Sequence, residues 1–180
     1  NRTVLTIRKK KGKRMRINLK LLSMTGFITC ISLLASAYYF QFALDMEPCP
    51  LCIMQRVATL MVALGCLAGF FMTERPIGLL VASGWTLLSS FFGIYLAHHH
   101  NWLQNLPADQ VPSCGPSLEY MLDAFPIMEV ITVLLRGNGN CAEVSWSFVG
   151  LSMPGWLMVF FIGFAIASAY GLLIAWKARK

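Results

Sequence analysis

The sequence predicts an all-α membrane protein: a four-transmembrane-helix bundle with a long loop on one side that carries a short surface helix. Composition is the first observation behind this prediction. The chain is 57% hydrophobic and only 13% charged, whereas about a quarter of the residues in soluble domains are charged. The second observation is that four apolar runs reach the length of about 20 residues that a helix needs to cross a bilayer.

The predicted elements follow one another with short links and one long segment. The domain bounds are a basic tail at 1–20, spans at 21–44, 51–72, 76–97 and 154–176, a loop at 98–153 and a second tail at 177–180. Within the loop, the apolar run Phe125–Leu135 is too short to cross the membrane. We therefore expect a helix there that lies on the surface or packs against the bundle.

Charge predicts the orientation of this bundle. Thirteen of the 15 basic residues lie in the two tails or in the link between the second and third spans, and seven of the eight acidic residues lie on the other side or at its edge. Because cytoplasmic segments are enriched in Lys and Arg, both termini are expected in the cytoplasm. The basic tail is interpreted as a topology signal that meets the lipid bilayer, with no nucleic acid bound. A cleavable signal peptide is disfavoured because the first apolar run continues to Leu44.

A Cys-x-x-Cys motif, Cys49-Pro50-Leu51-Cys52, connects the first two spans. Pro50 suits the first position of a helix, so Cys49 is the predicted N-cap and Cys52 the third helical residue. A thiol there faces unpaired N–H groups and the positive end of the helix dipole, which favour the thiolate form. Arg56 follows at i+4 from Cys52 and projects from the same face. It is either a membrane-surface anchor or a functional cation, and the adjacent dithiol favours the functional role.

The six cysteines form two classes. Four lie on the loop side of the membrane: Cys49, Cys52, Cys114 and Cys141. They can pair in three ways, and spacing does not choose among them. A structural staple of the loop, a zinc site and a thiol–disulfide relay are all compatible with them. Zinc is disfavoured because the second pair is widely spaced, and no metal is expected. Cys30 and Cys66 fall within spans and are interpreted as small apolar fillers.

The position of the dithiol limits which class of molecule can accept its electrons. A thiol pair at the membrane edge is badly placed for soluble glutathione and well placed for a lipid-soluble quinone, which takes up two electrons and two protons. Arg56 would stabilise the thiolate and the negative charge that develops on reduction. His98, His99 and His100 follow the third span, and one of them is a candidate hydrogen-bond or proton donor to the quinone. Successive helical residues point in different directions, so these three are not expected to share a metal ion.

Several stretches taken together resemble the bacterial inner-membrane disulfide-bond oxidoreductases of the DsbB type. They are Pro48–Cys52 with Arg56, His100–Gln104, Cys114, Gly139–Glu143 and Phe148–Trp156. The resemblance covers nearly the whole chain after the basic tail. It implies a multi-pass protein of the bacterial inner membrane with its redox cysteines in the periplasm.

By this resemblance the protein is expected to be a quinone-dependent protein-disulfide oxidoreductase. It would reoxidise a periplasmic, DsbA-like thioredoxin-fold protein and pass the electrons to ubiquinone or menaquinone from the membrane pool. The family assigns the mixed disulfide with the partner to Cys114, and exchange towards Cys49 to Cys141. Cys52 then meets the quinone.

The resemblance also places Arg56 beside the quinone, with His100 as a second contact. Two alternatives remain open on the sequence. The chain could be a specialised paralogue that serves one dedicated partner, or a non-catalytic four-span protein whose disulfides only stabilise its loop.

Overall fold

The computed structural model describes the backbone of residues 2–107, 109–115, 118–144 and 146–179, and their side chains except at 2–16 and 118–119. The elements are α1 (Arg2–Ala43), α2 (Pro50–Met72), α3 (Pro76–Gln104), α4 (Leu118–Ala124), α5 (Ile127–Arg136), a 3₁₀ turn (Gly139–Cys141), β1 (Ser147–Phe148), β2 (Leu151–Ser152) and α6 (Met153–Arg179). In this part of the chain, four helices are long and apolar enough to cross a membrane, within α1, α2, α3 and α6. The predicted all-α, four-span fold is confirmed.

Helix α3 lies at the centre of the bundle. Its most extensive contacts are with α6 and then with α2, while α1 packs mainly on α2. Gly93 shows why small residues are needed on α3, since a Cβ atom there would come within 2.5 Å of the Phe161 ring on α6. Because α1 makes few contacts with α6, the bundle remains open between these two helices.

The turn between α2 and α3 lies on the side opposite the long loop. The Arg75 N–H donates to the Met72 carbonyl at 3.0 Å, and Pro76 occupies the first turn of α3, where its missing N–H costs nothing. Lys20 of α1 pairs with Glu74 in this turn at 2.9 Å. This end of the molecule therefore joins the first three long helices without a sizeable loop.

Helix α3 continues seven residues beyond Ala97, where the predicted third span ends. The added turns are polar on one face, but Leu103 is 2% exposed and packs in the main core with Leu51 and Cys141. Burial of this one face keeps the segment helical after the apolar run has ended. As a result, all three histidines are helical and project from the loop side of the bundle.

Two short helices, rather than one, occupy the long loop. Val130 and Leu134 of α5 are buried in a small cluster with Ile53 and Met54 at the start of α2. Ile127 and Met128 on the other face of α5 are exposed. The predicted helix over Phe125–Leu135 is thus α5, which begins after Pro126, and it packs against the bundle by one face.

A two-residue hairpin leads into α6. Ser147 pairs with Ser152, and Phe148 pairs with Leu151. The connecting residues, Val149 and Gly150, have φ values of 52° and 78°, as a tight turn with the right-handed strand twist requires. This hairpin covers the loop side of the opening between α1 and α6.

Candidate active site

Cys49 is the N-cap of α2, as the sequence predicts. It has extended backbone angles, φ −67° and ψ 162°, and its Sγ accepts a hydrogen bond from the Cys52 N–H at 3.3 Å. Pro50 begins the helix, so the motif fixes its own geometry through local rules. The two sulfurs lie 2.8 Å apart, with the Cys49 thiol donating to Cys52. Cys52 is partly exposed and Cys49 is buried.

The 3₁₀ turn places a third cysteine, Cys141, in the same buried cluster as Cys49. The interaction with Cys141, followed by the contact with Cys52 and by burial, raises the pKa of Cys49 well above its usual range. The same interaction, with backbone donors at the site, lowers the pKa of Cys141 from 9.0 to about 6, against the opposing effect of burial. Cys49 therefore stands between two possible sulfur partners and holds the proton, while Cys141 favours the thiolate.

Gly137 brings Cys141 to this position. Its φ of +73° lies in the left-handed region, and a Cβ there would come within 2.8 Å of Leu103 and 2.9 Å of Leu51. A side chain at this position would therefore be strained and would also clash. The chain then turns so that the Cys141 N–H donates to the Asn138 carbonyl at 2.9 Å.

Cys114 lies on the other side of the same turn and is exposed. The Gly139 N–H donates to the Ser113 carbonyl at 3.3 Å, and a Cβ built on Gly139 would lie 3.2 Å from the Cys114 Sγ. The loop therefore holds Cys114 at the surface, close to the turn that carries Cys141. All six cysteines are free thiols, so the predicted pairing of the four outward cysteines stays a prediction.

Arg56 turns towards α1. Its Nη1 donates to Gln41 Oε1 at 2.5 Å and its Nη2 to the Ala37 carbonyl at 3.0 Å. The guanidinium carbon lies 4.9 Å from the centre of the Tyr38 ring. These hydrogen-bond acceptors are neutral, so they orient the guanidinium without neutralising its charge.

Arg56 lines a cavity of about 360 Å³ between α1, α2, α6 and the hairpin. This volume lies in the range of small-molecule sites, which are mostly apolar with a few polar groups. Phe40, Trp146 and Trp156 form part of its wall. The Trp156 Nε1 donates to the Phe148 carbonyl at 3.0 Å and ties the hairpin to α6. Cys52 lies one helical turn before Arg56 on α2 and is not part of the cavity lining.

Gln55 also lines this cavity, and the sequence analysis missed it. Its side chain is 1% exposed, and its Nε2 has no hydrogen-bond partner within the part of the chain that the structure describes. A buried amide donor without a partner carries a free-energy cost that a bound acceptor would relieve. The sequence does contain a signal for this residue, because Gln55 is a polar amide next to Arg56 in an otherwise apolar span.

Among the three histidines, His100 is the one at the site. It is 2% exposed, its Nε2 lies 3.8 Å from the Cys49 Sγ, and its ring also faces the Cys141 backbone. His99 instead pairs with the Arg136 carbonyl at 2.8 Å, and His98 is exposed. His100 lies beside the sulfurs, whereas other residues form the cavity wall, so its contact with a quinone stays a prediction.

Cys30 and Cys66 are buried in the bundle core, away from the loop-side sulfurs. Cys30 on α1 and Cys66 on α2 belong to the same buried cluster. A Cβ built on Gly26 of α1 would lie 3.0 Å from the Cys66 Sγ. This packing agrees with the interpretation of both residues as small fillers.

Comparison with known proteins gives a consistent result. The family model described as Disulfide bond formation protein DsbB matches residues 19–171. Disulfide bond formation protein B of Hahella chejuensis is 47% identical over 155 residues, which are 85% of this chain and 90% of that protein. The proteins of the same name from Nitrosococcus oceani and Methylococcus capsulatus are 43% and 41% identical, over 87% and 86% of this chain and 92% and 93% of theirs. The chain therefore belongs to the DsbB family of membrane disulfide bond formation proteins.

Proposed function

We propose that this protein oxidises a periplasmic dithiol partner of the thioredoxin fold and passes the two electrons to a membrane quinone. The observation that carries the proposal is the position of the Cys49 sulfur, which lies 2.8 Å from that of Cys52 and belongs to the same buried cluster as Cys141. A sulfur with two such neighbours can exchange one disulfide for the other with little movement. A loop staple would not need this arrangement.

The first exchange takes place at the exposed Cys114. A partner thiolate attacks the Cys114 Sγ of a Cys114–Cys141 disulfide, the S–S bond breaks, and Cys141 leaves as a thiolate. The lowered pKa of Cys141 favours this step because a thiol of low pKa is the better leaving group. The partner is then held on Cys114 by a mixed disulfide, in a position that is open to a large molecule.

The second exchange transfers the disulfide from Cys49–Cys52 towards the loop cysteines. The Cys141 thiolate attacks Cys49, a Cys49–Cys141 bond forms, the Cys49–Cys52 bond breaks, and Cys52 takes the negative charge. The second thiol of the partner then attacks its own mixed-disulfide sulfur, which releases the oxidised partner and leaves Cys114 as a thiolate. Cys114 attacks Cys141 to restore their disulfide, and Cys49 is left reduced beside Cys52. In sum, two electrons and two protons have moved from the partner to the Cys49–Cys52 pair.

The cavity at Arg56 fits the head group of a quinone. A bound quinone, whether ubiquinone or menaquinone, supplies the acceptor for two electrons and two protons. Arg56 offers a charge that its present partners do not neutralise, and Gln55 offers an amide donor that lacks a partner. Both groups can bind carbonyl oxygens and stabilise negative charge on them. The opening between α1 and α6 gives access from the lipid, and the aromatic wall excludes water.

Location in the bacterial inner membrane, with both termini in the cytoplasm, is part of the same proposal. It is supported by the basic residues at both ends of the chain. The loop-side cysteines would then face the oxidising periplasm, where a dithiol partner is available.

The test is reconstitution of the purified protein with a reduced thioredoxin-fold partner, with and without quinone. We expect oxidation of the partner only when quinone is present, and loss of quinone reduction in Cys52→Ser, with Cys30→Ser as the matched control that retains it. Partner oxidation that proceeds equally without quinone would contradict the proposed acceptor. Normal turnover of Cys52→Ser would contradict the role of the Cys-x-x-Cys motif.

A further inference from the structure

We propose that the reduced protein binds a thiophilic divalent cation, Zn²⁺ by preference, between Cys49, Cys52 and His100, and that this ion blocks the relay until it is removed. The site is assigned from three side chains that the fold brings together from α2 and α3. It requires neither Cys114 nor a quinone. The wide spacing of the second cysteine pair, which disfavours a four-cysteine zinc site in the sequence, therefore does not apply to it.

The three ligand atoms already form a compact triangle. All lie within 4.8 Å of one another, with 2.8 Å between the two sulfurs and 3.8 Å between the Cys49 Sγ and the His100 Nε2. Both Cys49 and His100 are buried. These atoms therefore face each other in a space that is largely closed to water, and the N-cap position fixes the backbone of Cys49.

The donor set fits zinc. Two thiolates and one imidazole, with a fourth position left for an exchangeable ligand, form a known type of zinc site, and Zn–S bonds of about 2.3 Å require sulfurs about 3.8 Å apart in tetrahedral geometry. The imidazole is already at a suitable distance. The sulfurs must separate by about 1 Å, which the partly exposed Cys52 can provide by rotation.

Charge balance favours a divalent ion in this buried place. Two thiolates neutralise Zn²⁺, so the filled site carries no net charge, whereas an isolated buried charge would be costly. Binding forms two Zn–S bonds and one Zn–N bond, releases two thiol protons, and oxidises or reduces nothing. A Cys49–Cys52 disulfide has no thiolate to offer, so ion binding and the oxidised state exclude each other.

The surroundings of His100 indicate reversible capture rather than a resident cofactor. Metal-bound histidines usually donate their other ring N–H to a partner that fixes the ring. The Nδ1 of His100 is buried and forms no hydrogen bond among the described residues, although the ring faces the Cys141 backbone. A site whose histidine has only this incomplete support holds its ion less tightly, as a regulatory ion requires. Zn²⁺ on the reduced pair would therefore stop electron flow, and a chelator would restore it.

The experiment uses full-length, quinone-free protein that has been reduced and treated with a chelator. Zn²⁺ binding is measured by competition with a coloured chelator, and Co²⁺ is used as a second probe because its thiolate ligation gives charge-transfer absorption. We expect one ion per chain, charge-transfer bands with Co²⁺, and no binding by the protein oxidised at Cys49–Cys52. Cys49→Ser and Cys52→Ser should each abolish the bands.

Two neighbouring histidines give the matched comparison. His100→Ala should weaken Zn²⁺ binding at least tenfold, since loss of even a supporting contact costs about 10- to 100-fold, while His98→Ala on the exposed face should bind as the unchanged protein does. Cys114→Ser should also retain the site. Equal affinity in the two histidine variants, or loss of the ion in Cys114→Ser, would overturn the proposal. Neither result bears on quinone use, which is tested separately.

Discussion

Cys49 shows how one residue can have two local roles at once. As the N-cap of α2 it accepts the Cys52 N–H, and as a thiol it lies 2.8 Å from the Cys52 sulfur and in the same buried cluster as Cys141. Its backbone is fixed by the helix start, so the sulfur at the centre of the proposed relay has a defined position. The proposed exchange would then depend on small rotations of the side chains around it.

The thiolate character of Cys141 leads to a prediction on pH. Its pKa in the folded, reduced protein is lowered from 9.0 to about 6, so its contribution to stability is fully present above pH 9 and is lost as the pH falls to 6. The raised pKa of Cys49 acts in the other sense, because its contribution is present below pH 9 and is lost above that pH. We therefore expect the thermal midpoint of the reduced, metal-free protein to rise between pH 6 and pH 9.

The matched variants for this prediction are Cys141→Ala and Cys114→Ala. The first should flatten the rise in the thermal midpoint, and the second should keep it. Titration of the ultraviolet absorbance of the thiolate gives an independent reading, with a step near pH 6 that Cys141→Ala lacks. A midpoint that falls over this range in the reduced protein would refute the assignment of the thiolate to Cys141.

Gln55 gives a second prediction at the residue scale. Replacing it with Leu removes a buried donor that has no partner, which costs about 1–3 kcal/mol while it stays unsatisfied. We therefore expect Gln55→Leu to be at least as stable as the parent in the absence of quinone, but to show a higher KM for quinone and an unchanged KM for the partner. Thermal unfolding and steady-state kinetics measure the two effects. A large loss of stability without a change in the quinone KM would indicate a purely structural amide.

At the scale of elements, the site is formed by the start of one helix, the end of another and a 3₁₀ turn. The start of α2 carries two sulfurs, the late turns of α3 carry His100, and the 3₁₀ turn carries Cys141. Leu51 and Leu103 fill the space between these elements, and both are almost completely buried. The loop is therefore anchored to the bundle at the point where the sulfurs must meet.

Gly137 positions the turn that carries Cys141, and Gly150 provides a matched control. Both have positive φ values, 73° and 78°, but a Cβ at Gly137 clashes with two leucines while one at Gly150 meets nothing. Strain of this kind costs about 1–3 kcal/mol. We expect Gly137→Ala to slow exchange between Cys141 and Cys49, seen as slower quenched-flow oxidation of the partner. Gly150→Ala should keep the rate of exchange, and equal slowing in both variants would argue against a positioning role for Gly137.

At the scale of the whole molecule, the bundle separates its sulfurs by depth. Cys114 is exposed on the loop side, whereas Cys30 and Cys66 lie in the core between spans. We expect a membrane-impermeant maleimide to label the reduced protein in intact spheroplasts at Cys114. Labelling should be lost in Cys114→Ser and kept in Cys66→Ser. Labelling that occurs only after the spheroplasts are broken would reverse the proposed orientation.

The open side of the bundle is a second property of the whole molecule. Helices α1 and α6 are held by their other neighbours more than by each other, and the cavity at Arg56 opens between them. The proposed quinone would therefore enter without crossing the loop. Its path would be separate from the surface that the protein partner would meet at Cys114.

Local rules were enough to predict much of this protein. The length of the apolar runs predicted the four spans, and Pro50 predicted the start of α2 with Cys49 as its N-cap. The short apolar run in the loop predicted a helix that does not cross the membrane. Helix α3 runs seven residues beyond the apolar run that predicts the third span, and hydropathy does not reveal this extension because it detects membrane burial and not helicity. Its last turns are kept helical by packing of Leu103 against the loop, and that contact is not visible in a hydropathy pattern.

The amino-acid sequence by itself determined the number of spans, the position of the Cys-x-x-Cys motif and the family resemblance, because each depends on residues that are close in the chain. Only the tertiary structure decided that Cys141 meets Cys49, that His100 and not its neighbours faces the sulfurs, and that Gln55 joins Arg56 at a cavity. These facts depend on contacts between distant segments. Such contacts are set by the packing of whole helices and by the turn at Gly137, so no local pattern specifies them.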